Sequence, residues 1–232
     1  MSFFDVQSRL RNRGFNPGLI DGIWGKQTSN ATRLFQRAEG LTETGLLDPK
    51  TLLALGLPQS LYRQNPDLIA PWMSEGKRRR GLHEARDNSR LWAWLRADGR
   101  SLGDPAKNPW CGDFAETCIA LTLPDEPLPE NPYLALNWTK FGITLNRAIY
   151  GAALTFHRGD PASWKGHIGF YTGEDKTHYH VLGGNQGNSV SVDRIAKDRL
   201  RPEGIRWPRT VRHMTEPVLL SPRGVPVSTN EA

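Results

Sequence analysis

The sequence predicts an α+β protein, with a small three-helix domain followed by a larger domain built on an antiparallel sheet. Up to about residue 55, apolar residues recur at helical spacing. After residue 150 the chain passes through short strand-like segments separated by turn residues. Helices first and antiparallel strands second are typical of an α+β domain. A chain of 232 residues has room for both units.

Three helices are predicted in the N-terminal unit. Val6 and Leu10 lie at helical spacing in the first. Thr28 is the expected N-cap of the second, and Asp48 and Pro49 suit the N-cap and first helical positions of the third. The apolar face expected for the second helix consists of Ala31, Leu34, Phe35 and Ala38.

A turn between the first two helices carries the element D-G-x-x-G-x-x-T. Its residues are Asp21, Gly22, Gly25 and Thr28. With this element, residues 4–55 resemble the peptidoglycan-binding domain of many bacterial and phage cell-wall hydrolases. The resemblance implies that the four residues contact peptidoglycan. Turn chemistry alone also explains Asp21 and the glycines, because an Asp-Gly pair favours a tight turn, so both roles stay open.

The predicted domain boundaries follow composition. Residues 1–57 form the binding domain, and the polar, proline-bracketed residues 58–66 form a linker. A second domain covers residues 67–210, and residues 211–232 are a loose tail.

Both cysteines fall on one predicted helix. Asn108 and Pro109 are suited to the N-cap and first helical positions, which predicts a helix from residue 109. Cys111 and Cys118 would then be separated by a rise of about 10 Å, too far for a disulfide, and their spacing does not match a zinc pair. Cys111 lies in the first turn, where free amides and the helix dipole lower a thiol's pKa. We expect Cys111 to be a nucleophile and Cys118 a small buried hydrophobe.

A thiol nucleophile needs a histidine base and a group that orients it. His167 opens a well-marked strand. If the next turn is centred on Asp175, His167 stands opposite Gly183, and Asn185 reaches it from the diagonal position. Gln186 would then face away. A register slip of one residue reverses the choice between Asn185 and Gln186.

The segments "NPWCGDFAETCI", "GHIGFYTGED" and "VLGGNQ" resemble papain-like thiol hydrolases, particularly the NlpC/P60 and CHAP families of cell-wall enzymes. The similarity spans roughly residues 66 to 208. One departure is Gly183, because many CHAP members have Glu at that position. The third catalytic role therefore rests on Asn185 or Gln186 alone.

The resemblance implies a papain-like fold and a role for each matching residue. Cys111 attacks an amide carbonyl, His167 takes the thiol proton and later activates water, and Asn185 orients His167. Backbone amides at the helix start, that of Cys111 included, stabilise the oxyanion. We assign Trp110 to substrate binding.

Together the two resemblances predict an endolysin-like peptidoglycan hydrolase of phage origin. It would cut an amide of the peptide stem or the muramoyl-L-alanine bond, as a monomer without cofactor or metal. A net charge of +6 suits anionic surroundings such as cell-wall polymers, and no nucleic-acid module is visible. No apolar stretch is long enough to enter a membrane. The start lacks a signal-peptide pattern, so we expect synthesis in the host cytoplasm and action on the periplasmic wall after release by another factor such as a holin.

Three alternatives remain open. A zinc peptidase could use His167, His178 and His180, although the pair follows Glu174 too closely and the acid is not Asp. We expect His178 and His180 to face solvent instead. The chain could also be a cell-wall-binding adaptor without activity, or a secreted interbacterial amidase toxin.

Overall fold

The computed structural model describes residues 2–212 and contains helices and one antiparallel sheet. The α-helices of this part are α1 (Phe3–Asn12), α2 (Lys26–Ala38), α3 (Pro49–Ala54), α4 (Leu61–Gln64), α5 (Pro71–Lys77), α6 (Asn88–Leu95) and α7 (Cys111–Thr122). Short 3-10 helices cover Pro66–Leu68, Ala135–Lys140 and Lys197–Arg199. The strands are β1 (Ile143–Thr144), β2 (Ala153–His157), β3 (Gly166–Glu174), β4 (His178–Gln186), β5 (Ser189–Ala196) and β6 (Leu200–Trp207). No helix in the described part of the chain is long and apolar enough to cross a membrane.

The N-terminal unit contains the three predicted helices, with one cap and part of one face corrected. Asp48 caps α3 as expected, accepting a hydrogen bond from the Thr51 amide at 2.7 Å. The N-cap of α2 is Gly25 rather than Thr28, which is buried and donates its hydroxyl to the Pro17 carbonyl. Thr28 therefore lies inside the first turn of the helix and packs against the preceding loop.

The buried face of α2 is rotated from the predicted one. Ala31 and Phe35 are buried, whereas Leu34 and Ala38 are exposed. Polar residues of α2 are buried in place of Leu34 and Ala38. One of them is Thr32, whose hydroxyl donates to the Thr28 carbonyl at 2.8 Å. An apolar pattern could not identify this face, because four of its six buried residues are polar.

The stretch predicted to be a linker holds α4 and the start of a 3-10 helix. The N-terminal unit also touches the rest of the chain, because the Arg33 guanidinium pairs with the Asp125 carboxylate. The predicted tail, residues 211–232, lies outside the described residues from residue 213 onward.

The sheet has the order β1-β6-β2-β3-β4-β5, with every neighbouring pair antiparallel. Helix α7 packs against β3 and β4, where Phe114 lies between the rings of Trp94 and Phe170. Gly184 permits this close approach, because a Cβ there would lie 2.5 Å from the Cβ of Phe114. The mixed helix and antiparallel sheet composition agrees with the predicted α+β class.

Candidate functional site

The start of α7 and the start of β3 bring the predicted nucleophile and base into one region. Helix α7 begins at Cys111, two residues later than predicted, because Trp110 has non-helical φ and ψ of −119° and 17°. The thiol is buried, and the backbone amide of Ile168, the residue after His167, lies near enough to it to lower its pKa. Cys111 therefore contacts the strand that carries the histidine.

The ionisation of Cys111 differs from the prediction. Burial raises the pKa of the thiol above its ordinary value and outweighs the groups that lower it. Those groups are the Ile168 amide, the positive charge of Arg158, and the amides of Gly112 and of Cys111 itself. The helix start acts in the expected direction, but in the free protein removal of water has the larger effect.

His167 is buried and held by a side chain of β4. Its Nε2 lies 2.9 Å from Oε1 of Gln186. The Gln186 amide nitrogen donates to the carbonyls of Val181, at 3.2 Å, and Ser191, at 3.0 Å. These bonds fix Oε1 as the acceptor facing the ring, so Nε2 carries the proton. The other nitrogen, Nδ1, is then the basic one.

The guanidinium of an arginine is hydrogen-bonded to that basic nitrogen. Arg158, the residue after β2, places Nη2 at 3.1 Å from Nδ1 of His167. A guanidinium can only donate, which agrees with Nδ1 being an acceptor. Burial lowers the pKa of His167 to about 4, Gln186 opposes this shift, and the positive charges of Arg158 and Arg199 add to it. The imidazole is therefore neutral at pH 7. Arg158 was not predictable from the sequence, because no motif marks it.

The structure brings Gln186, not the predicted Asn185, to the histidine. Alternation along β4 is interrupted by a bulge between Gly183 and Gln186, where Asn185 has a left-handed φ of 56°. The extra residue turns Gln186 to the His167 face, which is the choice that a register slip would make. Gly183 leaves room for it, since a Cβ there would lie 2.6 Å from Oε1 of Gln186.

Trp110 has a structural position instead of the expected substrate contact. Only 1% of it is exposed, and its indole N–H donates to Glu84 at 2.8 Å. Its ring also approaches the backbone of Gly184. Trp110 therefore fixes the entry to α7 and offers no surface to a ligand.

Three of the four N-terminal turn residues are hydrogen-bonded to Gln7, for which no motif gives a signal. Oε1 of Gln7 accepts from the amides of Asp21, at 3.1 Å, and Gly22, at 2.8 Å. Its Nε2 donates to Asp21 Oδ1 and to the hydroxyl of buried Thr28. Gly22 has a φ of 74°, as the tight turn requires. The contacts of Asp21, Gly22 and Thr28 thus build the turn, and Gly25 caps α2.

Exposed apolar side chains surround this turn. Phe4, Leu19 and Ile23 are 51%, 79% and 38% exposed. The Cβ of Phe4 lies within 3.7 Å of the position that a Gly22 Cβ would take. We call these three residues the N-terminal apolar patch.

The histidines of the zinc alternative do not converge. His180 is buried, contrary to the prediction, with Nε2 at 2.9 Å from Oδ2 of Asp175. Arg194 donates to the same carboxylate oxygen at 2.9 Å, and hydrogen bonds from Arg194, His180 and nearby amides hold the pKa of Asp175 well below its usual range. His178 is half-buried. Among residues 2–212, no group of three or more His, Cys, Asp or Glu side chains could hold a metal ion.

The other side of α7 buries carboxyl groups away from Cys111. Glu116 is fully buried, and burial followed by Asp98 raises its pKa to about 9. Burial also raises the pKa of Asp113 to about 6, although Ser101 and the Leu102 amide donate to it. At neutral pH Glu116 is therefore protonated in the folded protein.

Two comparisons with known proteins find similarities that are related to the cell wall. Residues 4–55 match the family model described as "Putative peptidoglycan binding domain". A relative, N-acetylmuramoyl-L-alanine amidase CwlM of Mycobacterium tuberculosis (strain ATCC 25618 / H37Rv), is 46% identical over 50 residues. That alignment covers 22% of this chain and 12% of the relative. No solved structure matches. The N-terminal unit is therefore similar to peptidoglycan-binding domains.

Proposed function

We propose that this protein is a peptidoglycan hydrolase that cleaves an amide bond with Cys111 as nucleophile, His167 as base and Gln186 as the group that orients the base. The observation that carries the proposal is the hydrogen bond between His167 and Gln186, on a strand whose next residue, Ile168, approaches the Cys111 thiol at the start of α7. A peptidoglycan-binding domain on the same chain supplies the substrate class. The proposed domain type is papain-like, of the NlpC/P60 or CHAP kind.

The protonation states define the first step. Cys111 is a thiol and His167 a neutral imidazole in the free protein, because burial disfavours the charged form of each. Nδ1 of His167 takes the thiol proton as the sulfur attacks the amide carbonyl. Gln186 accepts a hydrogen bond from Nε2–H and supports the imidazolium that forms.

The remaining steps return the protein to its starting state. In the proposed mechanism, backbone amides at the start of α7, those of Cys111 and Gly112, stabilise the oxyanion of the tetrahedral intermediate. The imidazolium gives its proton to the leaving amine, and a thioester remains on Cys111. Water activated by His167 then hydrolyses the thioester and releases the acid. The bond cut is an amide of the peptide stem or the muramoyl-L-alanine bond.

The proposed biological setting is an endolysin that reaches the periplasmic wall after release by another factor. The +6 net charge favours retention on anionic wall polymers. In this setting the N-terminal domain holds the protein on the wall and the second domain cuts it.

The two cysteines offer a matched test. Purified wild type, Cys111→Ala and Cys118→Ala are incubated with peptidoglycan, with and without EDTA, and turbidity and released fragments are followed. We expect lysis by wild type and Cys118→Ala in both conditions, and none by Cys111→Ala. Cys118 is a suitable control because it is buried on the same helix, two turns away.

Other outcomes would favour the alternatives. Lysis by Cys111→Ala that EDTA abolishes would replace the thiol mechanism with a metal-dependent one. Wall binding without lysis by wild type would support an adaptor. Mass spectrometry of the fragments released by wild type would identify the bond.

A further inference from the structure

Arg158 is a charged group in contact with the proposed base, and the steps above give it no role. Its side chain is exposed to solvent, yet Nη2 reaches the buried Nδ1 of His167 at 3.1 Å. No carboxylate among residues 2–212 forms an ion pair with it. An arginine so placed has donors left over for an acidic group arriving from solvent.

The loop that carries Arg158 is held in place. Residues 158–165 connect β2 and β3, and the amide of Arg158 donates to the Lys165 carbonyl at 3.1 Å. The guanidinium of Arg201 crosses the loop and donates to the carbonyls of Pro161 and Lys165, both at 3.0 Å. The base of the Arg158 side chain is therefore fixed, and binding a ligand requires only a turn of the side chain itself.

The contact with His167 opposes the proposed reaction. Nδ1 must be free to take the thiol proton, and a guanidinium on that nitrogen blocks it. The positive charge of Arg158 also lowers the pKa of His167, which makes the imidazole a weaker base. For proton transfer to occur, Arg158 has to move away from Nδ1.

We propose that Arg158 is a specificity-determining residue that binds a free carboxylate on the peptide beside the scissile amide, and that this binding frees Nδ1 of His167. The inference rests on the proposed hydrolase function. A carboxylate accepts two parallel hydrogen bonds from a guanidinium and outcompetes the single lone pair of a neutral imidazole. The resting protein therefore has its base covered, and an acidic stem peptide uncovers it.

The substrate class follows from this exchange. Peptides with a free carboxylate next to the cut amide are good substrates, whereas peptides with a carboxamide at the same position leave Arg158 on His167. A charge-assisted interaction of this kind corresponds to about 10- to 100-fold in kcat/KM.

The kinetic test uses matched synthetic stem peptides that differ only in carboxylate or carboxamide. We expect wild type to prefer the carboxylate by about 10- to 100-fold, and Arg158→Gln to lose the preference. In Arg158→Gln the carboxamide peptide should be cut at least as fast as by wild type, because the base is uncovered. Arg90→Gln is the control, since Arg90 is 77% exposed on α6 and its ion-pair partner is Asp87. Equal preference in wild type and Arg158→Gln would overturn the inference and leave the hydrolase proposal standing.

An NMR test does not depend on turnover. The His167 ring is titrated in Cys111→Ala with and without the carboxylate peptide. We expect the pKa of His167 to rise when the peptide binds, and to be raised and insensitive to the peptide in Cys111→Ala/Arg158→Gln. If the pKa of His167 responds in this way and wild type hydrolyses neither peptide, the carboxylate site is supported and the hydrolase proposal is refuted. If neither the peptide nor the Arg158 substitution changes the pKa of His167, the inference is refuted.

Discussion

Gln186 and Asn185 are neighbours in sequence, but only Gln186 is hydrogen-bonded to His167. Substituting each in turn therefore tests which residue orients the histidine. Gln186→Ala removes the acceptor of the Nε2–H bond at 2.9 Å and leaves that donor buried without a partner. A hydrogen bond to a charged group contributes about 1.5 to 3 kcal/mol, and the ring becomes charged during the reaction. At about 1.4 kcal/mol for each factor of ten, we expect kcat/KM to fall about 10- to 100-fold.

The matched control is Asn185→Gly. Asn185 has a φ of 56°, which glycine adopts freely, so the bulge and the position of Gln186 should survive. We expect this variant to keep near wild-type activity. Both proteins are assayed on peptidoglycan fragments, with circular dichroism to confirm folding. If Asn185→Gly loses as much activity as Gln186→Ala, or if Gln186→Ala loses none, Gln186 is not the orienting residue.

Three further predictions concern pH, stability and wall binding. The pKa of His167 is lowered to about 4, so kcat/KM should stay high as the pH falls through 6 and drop only near pH 4 to 5. A loss of kcat/KM centred at pH 6.5 would contradict this. Burial raises the pKa of Glu116 from 4.5 in the unfolded chain to about 9 in the folded protein. The protonated carboxyl therefore contributes fully to folding stability below pH 4.5, and this contribution is lost as the pH rises through 9. Glu116→Gln should therefore stabilise the protein by on the order of 2 kcal/mol at pH 8 and little at pH 4.5 in urea titrations, and equal effects at both pH values would refute it. Phe4→Ser with Leu19→Ser should weaken sedimentation with peptidoglycan several-fold through loss of the N-terminal apolar patch, whereas exposed Leu34→Ser should not; equal loss in both would exclude the patch as the wall contact.

The parts of the fold that depend on local pattern were predictable. Alternating strands, a proline at a helix start and Asp48 as a cap each act over a few residues, and the structure confirms the mixed helix and antiparallel sheet composition. The choice between neighbouring residues was not predictable where it depends on long-range strand register. Alternation places Asn185 toward His167, and only the bulge at Gly183 exchanges it for Gln186. No local signal in the sequence fixes where a strand takes an extra residue.

The roles of Trp110 and Arg158 show a second limit. A tryptophan beside a candidate nucleophile is expected to meet substrate, but here it fills the space between α7 and β4. Arg158 lies nine residues before His167 and approaches it only because β2 and β3 pair. Both outcomes depend on tertiary packing, which brings together residues that sequence spacing does not relate.

Burial gives the site its resting state. The same exclusion of water raises the pKa of Cys111 and lowers that of His167, so both groups are neutral in the free protein. A thiolate and imidazolium pair, common in reactive thiol sites, is unfavourable here until other charges change. The guanidinium of Arg158 opposes protonation of the ring from its position on Nδ1, and in the proposed mechanism a substrate carboxylate draws it away. Reactivity in the proposed mechanism therefore appears only with substrate bound, which would keep the thiol inert while the protein is free.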